Sequence, residues 1–256
     1  MKIIPNGLVI RLVKLKKTIK EFQRGQFNNK KFKRLFKEYA NTLSDNRFTC
    51  SWEDCMPFLN DSTTELTFDP QYLYHTAWAA RKLKENMPNK HIDISSWSYF
   101  VSIASAFIEI DFYEYLTPKI TLSGLNCFQG DLINLPFNDE SLESISCMHT
   151  VEHVGLGRYG DPIDPKGDIK AINELKRVTQ KNGIIYFVVP IGGTAKIHFN
   201  AHRIYTYSSI IELFDGFNLL DFSLITNEGN FVESAEEKDA DIQTSGCGCF
   251  LFQKKI

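Results

Sequence analysis

The chain has 256 residues, enough for one α/β domain with an extension or for two small domains. Its composition, 43% hydrophobic and 23% charged, is that of an ordinary globular protein able to bury a core. No apolar run approaches the ~20 residues of a membrane helix, so we expect no membrane-spanning segment.

The net charge of −2 is distributed unevenly. Residues 1–40 contain twelve Lys and Arg but only two Glu, a local charge of +10 that leaves −12 for the remainder. Such an arm attracts phosphates of lipid head groups, nucleic acid or a nucleotide-linked substrate, but a solvated helical face explains the charges at least as well. Residues 1–17 make a poor signal peptide because Pro5, Asn6 and Arg11 interrupt the apolar stretch, although they fit an amphipathic segment in a membrane interface. We expect a cytoplasmic protein, with peripheral contact at the inner face of the membrane through residues 1–40 as an alternative.

The six cysteines are scattered and none has C-x-x-C spacing, so we expect free thiols in a reducing compartment. Cys147 lies in an apolar run and is predicted to be a small core residue. Cys247 and Cys249 are too close in sequence for an easy disulfide.

Two regions follow from the pattern of apolar residues. Residues 1–65 are predicted to be a basic helical extension, and residues 66–256 an α/β domain. The domain begins with a helix over 68–90, which Pro88 and Asn89 end. The apolar stripe of this helix consists of Tyr72, His75, Trp78, Ala79 and Leu83.

From residue 91 onward, short apolar runs alternate with helical patterns. The alternation predicts a doubly wound sheet with a mostly parallel core, in which ligands bind beyond the carboxyl ends of the strands. In the predicted helix over 168–183, Gly183 suits the left-handed position after the last turn. The predicted strands are 91–95, 107–111, 125–131, 142–149, 184–190, 218–226 and 247–255, and the further helices are 99–107 and 207–217.

Polar residues stand at the predicted strand ends. Asp111 lies 18 residues after Asp93, near the ~20 expected for the acid that accepts hydrogen bonds from both ribose hydroxyls of a nucleotide. Gly130-Asp131 ends the third predicted strand and is placed to receive an adenine amino group. A single carboxylate at a strand end often only caps a helix. The prediction of a nucleotide-binding site therefore depends on the acids and their spacing taken together.

The order of elements resembles that of class I S-adenosylmethionine-dependent methyltransferases, over roughly residues 90–255. The segments "GDLINLPFNDESLESISCMHTVEHV" and "AINELKRVTQKNGIIYFVVP" carry the likeness. The resemblance implies a Rossmann-like sheet of seven strands and S-adenosylmethionine as the cofactor. It also implies that Asp111 binds the ribose, that Gly130, Asp131 and Leu132 lie at the adenine, and that His149 borders the transferred methyl.

One segment departs from that family. The first motif, after Asp93, is usually a glycine-rich turn that lets the backbone approach the cofactor, but here it reads "DISSWS". Asp93, Ser95 and Ser96 are still predicted to bind the cofactor. The two serines are small, and their amides and hydroxyls can serve the methionine carboxylate, whereas Trp97 is bulky for this position. The departure favours an alternative of another class, a methyltransferase-fold protein that binds a ligand or partner without catalysis.

The segments "MHTVEHVGLGRYGDPIDPKGD" and "FNAHRIYTY" resemble a more specific group, an uncharacterised domain-of-unknown-function family. Its members occur in nematodes and in bacterial surface-polysaccharide gene sets. The resemblance implies a role in polysaccharide or capsule biosynthesis and leaves the acceptor open.

"HTVEH" also has the outline of a zinc-hydrolase signature, since His149 and His153 stand four residues apart. On a helix they would share one face, but a strand ends at His149, and Gly155 and Gly157 follow too soon for a helix. We therefore assign no metal ligand. A zinc hydrolase remains a minor alternative, for which the additional ligands would be His198, His202, Asp161, Asp164 and Asp168.

Acid–base chemistry is the preferred interpretation of the segment. Methyl transfer requires the acceptor to lose a proton, and a histidine near neutral pKa is a natural base. His149 and His153 are the candidates, with Glu152 orienting one of them. The residues predicted to shape the acceptor pocket are Arg158, Tyr159, Asp161, Asn200, His202 and Arg203. The alternative for "GLGRYGD" is a tight loop in which Arg158 pairs with an aspartate.

These arguments predict an S-adenosylmethionine-dependent methyltransferase of surface-polysaccharide synthesis, such as one that O-methylates a sugar or a phosphorylated or phosphoramidate intermediate. We expect an anionic small-molecule or glycan-precursor acceptor and no nucleic-acid partner, because residues beyond the basic arm are acidic and contain no nucleic-acid module.

Overall fold

The computed structural model describes residues 29–44, 47–58 and 67–256, and the chain separates into two compact units, Met1–Thr67 and Phe68–Ile256. The predicted amphipathic opening, residues 1–17, lies outside the described residues. In the first unit, residues 29–42 form helix α1, whose lysines and arginine are exposed. The rings of Phe32 and Phe36 pack against Trp52, with centroids 5.9 and 5.1 Å away.

The second unit contains ten strands and five helices among its described residues. The strands are β1 His91–Ile94, β2 Ile110–Glu114, β3 Leu125–Gln129, β4 Leu142–Met148, β5 Thr179–Ile191, β6 Lys196–His198, β7 His202–Ile204, β8 Phe217–Ile225, β9 Phe231–Val232 and β10 Gly246–Lys254. The helices are α2 Pro70–Asn86, α3 Ser98–Ala104, α4 Gly167–Val178, α5 Tyr207–Leu213 and α6 Glu237–Asp241. No helix in the described ranges has both the length and the apolar character needed to cross a membrane.

Eight strands form one sheet in the order β3-β2-β1-β4-β5-β10-β8-β9, and β6 pairs with β7 as a separate hairpin. Strands β1 to β5 are parallel to one another, while β10 runs antiparallel to β5 and β8. The predicted α/β Rossmann-like class with a mostly parallel sheet is confirmed. The sheet has eight strands instead of the expected seven because the two-residue strand β9 pairs with β8 at the edge.

Strand β5 shows how the sheet is stabilised. Phe187 and Val189 belong to the hydrophobic cluster on one face, and Tyr186 and Val188 to the cluster on the other. Both faces are therefore buried, which is typical of a strand whose residues form an unbroken apolar run. Each such side chain contributes about 1.5–3 kcal/mol through its removal from water. Cys147, also predicted to be core, is fully buried.

The second strand lies three residues further along than predicted, at Ile110–Glu114 instead of 107–111. Residues after α3 remain in helical turns, because the amides of Phe107 and Ile108 both donate to the carbonyl of Ala104. Asp111 consequently lies at the amino end of β2 and Glu114 at the carboxyl end.

The predicted helix over 168–183 also ends early, at Val178. Thr179 is already extended, and its hydroxyl donates to the carbonyl of Leu175 at 2.7 Å. The left-handed residue is Asn182 (φ 61°), so the predicted role of Gly183 is wrong. A Cβ at Gly183 would lie 2.8 Å from the carbonyl oxygen of Leu142, so the glycine permits close approach to β4.

Candidate active site

The carboxyl ends of β1, β2 and β3 meet at one edge of the sheet and bring together Ser95, Glu114 and Gly130. The Ser95 amide donates to the carbonyl of Tyr113 at 2.8 Å, and the Gly130 amide donates to that of Glu114 at 3.1 Å. The Ser95 hydroxyl donates to Oε1 of Glu114 at 3.3 Å. Two small residues thus flank a carboxylate.

The turn after β1 adopts the backbone that a glycine-rich turn would. Ser95 has φ 56°, in the left-handed region that favours glycine. Its carbonyl accepts a hydrogen bond from the Thr150 hydroxyl at 2.9 Å. The ring of Trp97 packs against Tyr72 and Tyr99, with centroids 5.0 and 4.8 Å away.

Buried Asp93 holds this turn in place through hydrogen bonds. It is fully buried; its Oδ1 accepts from the Ser96 amide at 3.0 Å and its Oδ2 from the Ser146 hydroxyl. His91 Nε2 lies 2.8 Å from Ser146 Oγ, which extends the network into the sheet. Burial raises the pKa of Asp93 to about 7, although these hydrogen bonds lower it. Asp93 therefore positions the turn, and its direct contact with the cofactor remains a prediction.

Glu114 occupies the position at which the sequence placed Asp111. Glu114 is half-buried; burial raises its pKa, while the Tyr115 amide, which donates to Oε1 at 2.8 Å, lowers it. Asp111 lies at the opposite end of β2 and has two partners there. Lys90 Nζ lies 2.7 Å from its Oδ2, and the side-chain amide of Asn126 donates to its Oδ1 at 2.9 Å. The predicted placement of Asp111 at a carboxyl end is therefore wrong, and with it the basis for a ribose contact.

The segment after β3 contains the predicted adenine residues. Asp131 is exposed, and its Oδ1 accepts from the Ile133 amide at 3.1 Å. Leu132 is buried in the core cluster. A Cβ at Gly130 would lie 3.0 Å from the Cβ and ring of Tyr113, so a side chain there would crowd β2. The adenine roles of these residues remain predictions.

The "HTVEH" segment turns sharply, as the sequence indicated. Strand β4 ends at Met148, His149 is left-handed (φ 56°), and Val151–His153 forms a single 3₁₀ turn. Glu152 is buried, with Oε1 2.9 Å from His149 Nδ1 and 3.7 Å from His153 Nε2. Its Oε2 has no hydrogen-bond partner within the described residues. One buried carboxylate therefore connects both predicted histidines.

Three residues that the sequence did not single out for the site surround His149. Its Nε2 lies 3.2 Å from the Sγ of Cys247, and its ring centroid lies 4.9 Å from that of His75 and 5.7 Å from that of Tyr72. His75 is fully buried, and burial, followed by the influence of His149, lowers its pKa to about 3. The sequence feature that could have pointed to this cluster is His75, a histidine on the otherwise apolar stripe of α2.

Asp161 organises the loop after this turn. Its carboxylate accepts from the amides of Gly155 (2.7 Å), Gly157 (3.3 Å) and Tyr159 (3.2 Å). Burial raises the pKa of Asp161, but the amides hold it below its usual value. The tight-loop alternative is therefore the better description, although the partner of the aspartate is backbone and not Arg158.

Arg158 instead reaches the β6–β7 hairpin. Its Nη1 donates to the carbonyl of Ala201 at 3.0 Å, an acceptor shared with His153 Nδ1 at 2.6 Å. The guanidinium also lies over the ring of Tyr159, 5.1 Å from its centroid. Asn200 is exposed at the hairpin turn, so the loop and the hairpin form one surface beside His153.

His202 and Arg203 differ within that hairpin. His202 pairs with His198 across the strands, with ring centroids 5.2 Å apart. Arg203 is buried; its Nη1 donates to the carbonyl of Val154 at 2.7 Å and its Nε lies 3.6 Å from Asp168 Oδ2. The predicted acceptor contact of Arg203 is therefore wrong, because its guanidinium is used within the protein.

Two family models match parts of the chain that contain the site described above. A family model described as a methyltransferase domain matches residues 77–187. A second model, described as a Caenorhabditis protein of unknown function, DUF268, matches residues 135–248. No curated protein matches the chain in sequence.

Solved structures show the same fold. A Burkholderia thailandensis 1,6-didemethyltoxoflavin-N1-methyltransferase, with its substrate and S-adenosylhomocysteine bound, is 11% identical with a TM-score of 0.51, over 72% of this chain and 79% of that one. A chain of the Haloferax volcanii complex between the Trm112 methyltransferase activator and a methyltransferase is 15% identical with a TM-score of 0.50, over 72% and 90%. The domain match and the shared fold support an S-adenosylmethionine-dependent methyltransferase.

Proposed function

We propose that this chain transfers a methyl group from S-adenosylmethionine to an anionic small acceptor, with the cofactor at the carboxyl ends of β1, β2 and β3. The observation that carries the proposal is Glu114, a half-buried carboxylate at the end of β2 between left-handed Ser95 and Gly130. A carboxylate there accepts hydrogen bonds from both ribose hydroxyls.

The residues present fit the cofactor despite the absence of glycine from the first motif. Ser95 supplies the left-handed backbone, and the side chains of Ser95 and Ser96 are small. The amides of both residues already donate within the protein, to the Tyr113 carbonyl and to Asp93, so a contact with the methionine portion would fall to other atoms of the turn. Asp131 remains the proposed adenine contact. S-adenosylmethionine, when bound, supplies an electrophilic methyl on a positively charged sulfur.

The acceptor is proposed to lie beside the loop and the hairpin. His153 donates through Nδ1 to Ala201, which leaves the lone pair on Nε2. Burial lowers the pKa of His153 although Glu152 raises it, so the imidazole is neutral and able to take a proton from an acceptor hydroxyl. The exposed guanidinium of Arg158 suits a phosphate or carboxylate on that acceptor.

The charge of Arg158 supports only an anionic acceptor. The resemblance to the uncharacterised family is what supports a phosphorylated or phosphoramidate sugar intermediate of a surface polysaccharide, methylated on oxygen. The exposed basic residues of α1 favour attraction to an anionic surface, including the cytoplasmic face of a membrane.

Calorimetric titration of the full chain with S-adenosylmethionine and S-adenosylhomocysteine tests the cofactor site. Glu114→Gln should weaken binding by about 10–100-fold, because a hydrogen bond to a charged group contributes about 1.5–3 kcal/mol. The matched control is Asp111→Asn, at the other end of the same strand, which should bind like the wild type. Absence of binding by the wild type, or an equal loss in Asp111→Asn, would refute the proposed site. Binding without transfer to any glycan-precursor acceptor would favour the non-catalytic alternative.

A further inference from the structure

Three side chains able to ligate a metal converge where α2 crosses the sheet. His75 comes from α2, His149 follows β4, and Cys247 lies near the start of β10, paired with Pro190 of β5. One ligand atom of each lies within 4.8 Å of the others. His149 Nε2 and Cys247 Sγ are 3.2 Å apart. The 3.2 Å separation suits two donors on one metal ion, since Zn–N and Zn–S bonds are about 2.0 and 2.3 Å long, and a small side-chain movement would bring His75 to the same ion.

Both histidines are oriented so that the same nitrogen faces the cluster. Nδ1 of His75 donates to the carbonyl of Gln71 at 2.6 Å, and Nδ1 of His149 lies 2.9 Å from Oε1 of Glu152. Each contact leaves Nε2 as the nitrogen with a free lone pair. Metal-binding histidines in proteins are oriented in this way by a carbonyl or a carboxylate on the opposite nitrogen.

Nε2 of His75 is the second, independent observation. His75 is 0% exposed, and its Nε2 has no hydrogen-bond partner in the part of the chain that the structure describes. Buried polar atoms are nearly always paired. A ligand at the centre of the cluster would supply the missing partner.

We infer that His75, His149 and Cys247 bind a zinc ion. Two imidazoles and one thiolate form a donor set that zinc accepts, and three protein ligands leave a fourth coordination position for a water or another ligand. Binding releases the thiol proton to solvent. The resulting thiolate and the buried carboxylate of Glu152 together match the double positive charge of the ion.

This site differs from the zinc-hydrolase outline of the sequence. His153 is not among the three side chains whose ligand atoms converge, and its Nδ1 is bonded to the carbonyl of Ala201. The inferred zinc site depends only on its three ligands and not on whether S-adenosylmethionine binds. A function for the fourth position rests on the proposed function: an acceptor oxygen bound there to zinc would have a lowered pKa.

Metal content of the full chain tests the inference. Protein stripped with a chelator, incubated with zinc and dialysed should retain one equivalent by mass spectrometry. His75→Ala and Cys247→Ser should lose it. The matched control Cys249→Ser, two residues further along β10 and equally buried, should keep it. Circular dichroism establishes which variants are folded. Wild type that retains no zinc, or Cys247→Ser that retains the full equivalent, would overturn the inference.

Two measurements remain decisive if a ligand variant does not fold. Cobalt substituted into the wild type should give an absorption band from thiolate-to-metal charge transfer, and its absence would exclude Cys247 as a ligand. Glu152→Gln, which keeps the side-chain shape, should weaken zinc affinity by about 10–100-fold through the orientation of His149. These readouts require no S-adenosylmethionine, so failure of the cofactor proposal and failure of the zinc site are distinguishable.

Discussion

Replacing Asp93 with Asn should make the pH dependence of stability shallower. Burial raises the pKa of Asp93 from its usual 3.8 to about 7. Because the folded state holds the proton more tightly, the stabilisation is fully present below pH 3.8 and is lost as the pH rises towards 7. One pH unit corresponds to about 1.4 kcal/mol, so ionisation of the buried carboxyl costs about 4 kcal/mol by neutral pH.

The variant Asp93→Asn resembles the protonated form in shape, and its amide can accept from Ser96 and donate to Ser146. Urea unfolding at a series of pH values measures the free energy of unfolding of both proteins. Asp93→Asn should match the wild type near pH 4 and exceed it by up to about 4 kcal/mol at pH 8. A constant difference between the two profiles would refute the proposed state of Asp93.

Four further substitutions, one of them a control, test the loop and the acceptor side. Arg203→Met should lower the free energy of unfolding by about 3–5 kcal/mol in urea, because it leaves Asp168 buried without its cation; an effect near zero would contradict the structural role of Arg203. Gly155→Ala, at φ 78°, should lower the free energy of unfolding in urea by more than about 1–3 kcal/mol, because the new Cβ would lie 2.0 Å from a carbonyl oxygen. The control Gly160→Ala, at φ 84° in open space, should lower it only by the backbone strain. In a methyl-transfer assay, His153→Gln should reduce kcat by about 10²–10⁴-fold while cofactor affinity is unchanged, and an unaltered kcat would exclude His153 as the base.

The sequence predicted the sheet better than the register of its second strand. The strongly apolar β5 and the periodic α4 are local signals, and both elements were found. In "FIEIDFYEY" the alternation of side chains continues on both sides of Asp111, so the pattern alone cannot decide where the strand begins. The helical turns after α3 delay the start of β2 to Ile110. Because of this shift, Glu114 and not Asp111 lies at the carboxyl end of the strand, where ligands bind.

The cluster around His149 was not predictable for a different reason. His75 and Cys247 lie 74 residues before and 98 residues after it, and packing of α2 and β10 alone brings them together. On the sequence, His75 belongs to an apolar stripe and Cys247 to an apolar strand, and both descriptions are correct. Metal ligands within a core carry no local pattern when the spacing is set by tertiary contacts.

The most direct test of the account is a crystal structure of the full chain with S-adenosylhomocysteine. The ribose hydroxyls should lie within hydrogen-bond distance of the Glu114 carboxylate, the methionine portion over the turn of Ser95 and Ser96, and the sulfur facing His149. A ligand bound at Asp111, or away from the carboxyl ends of β1, β2 and β3, would contradict the proposed site.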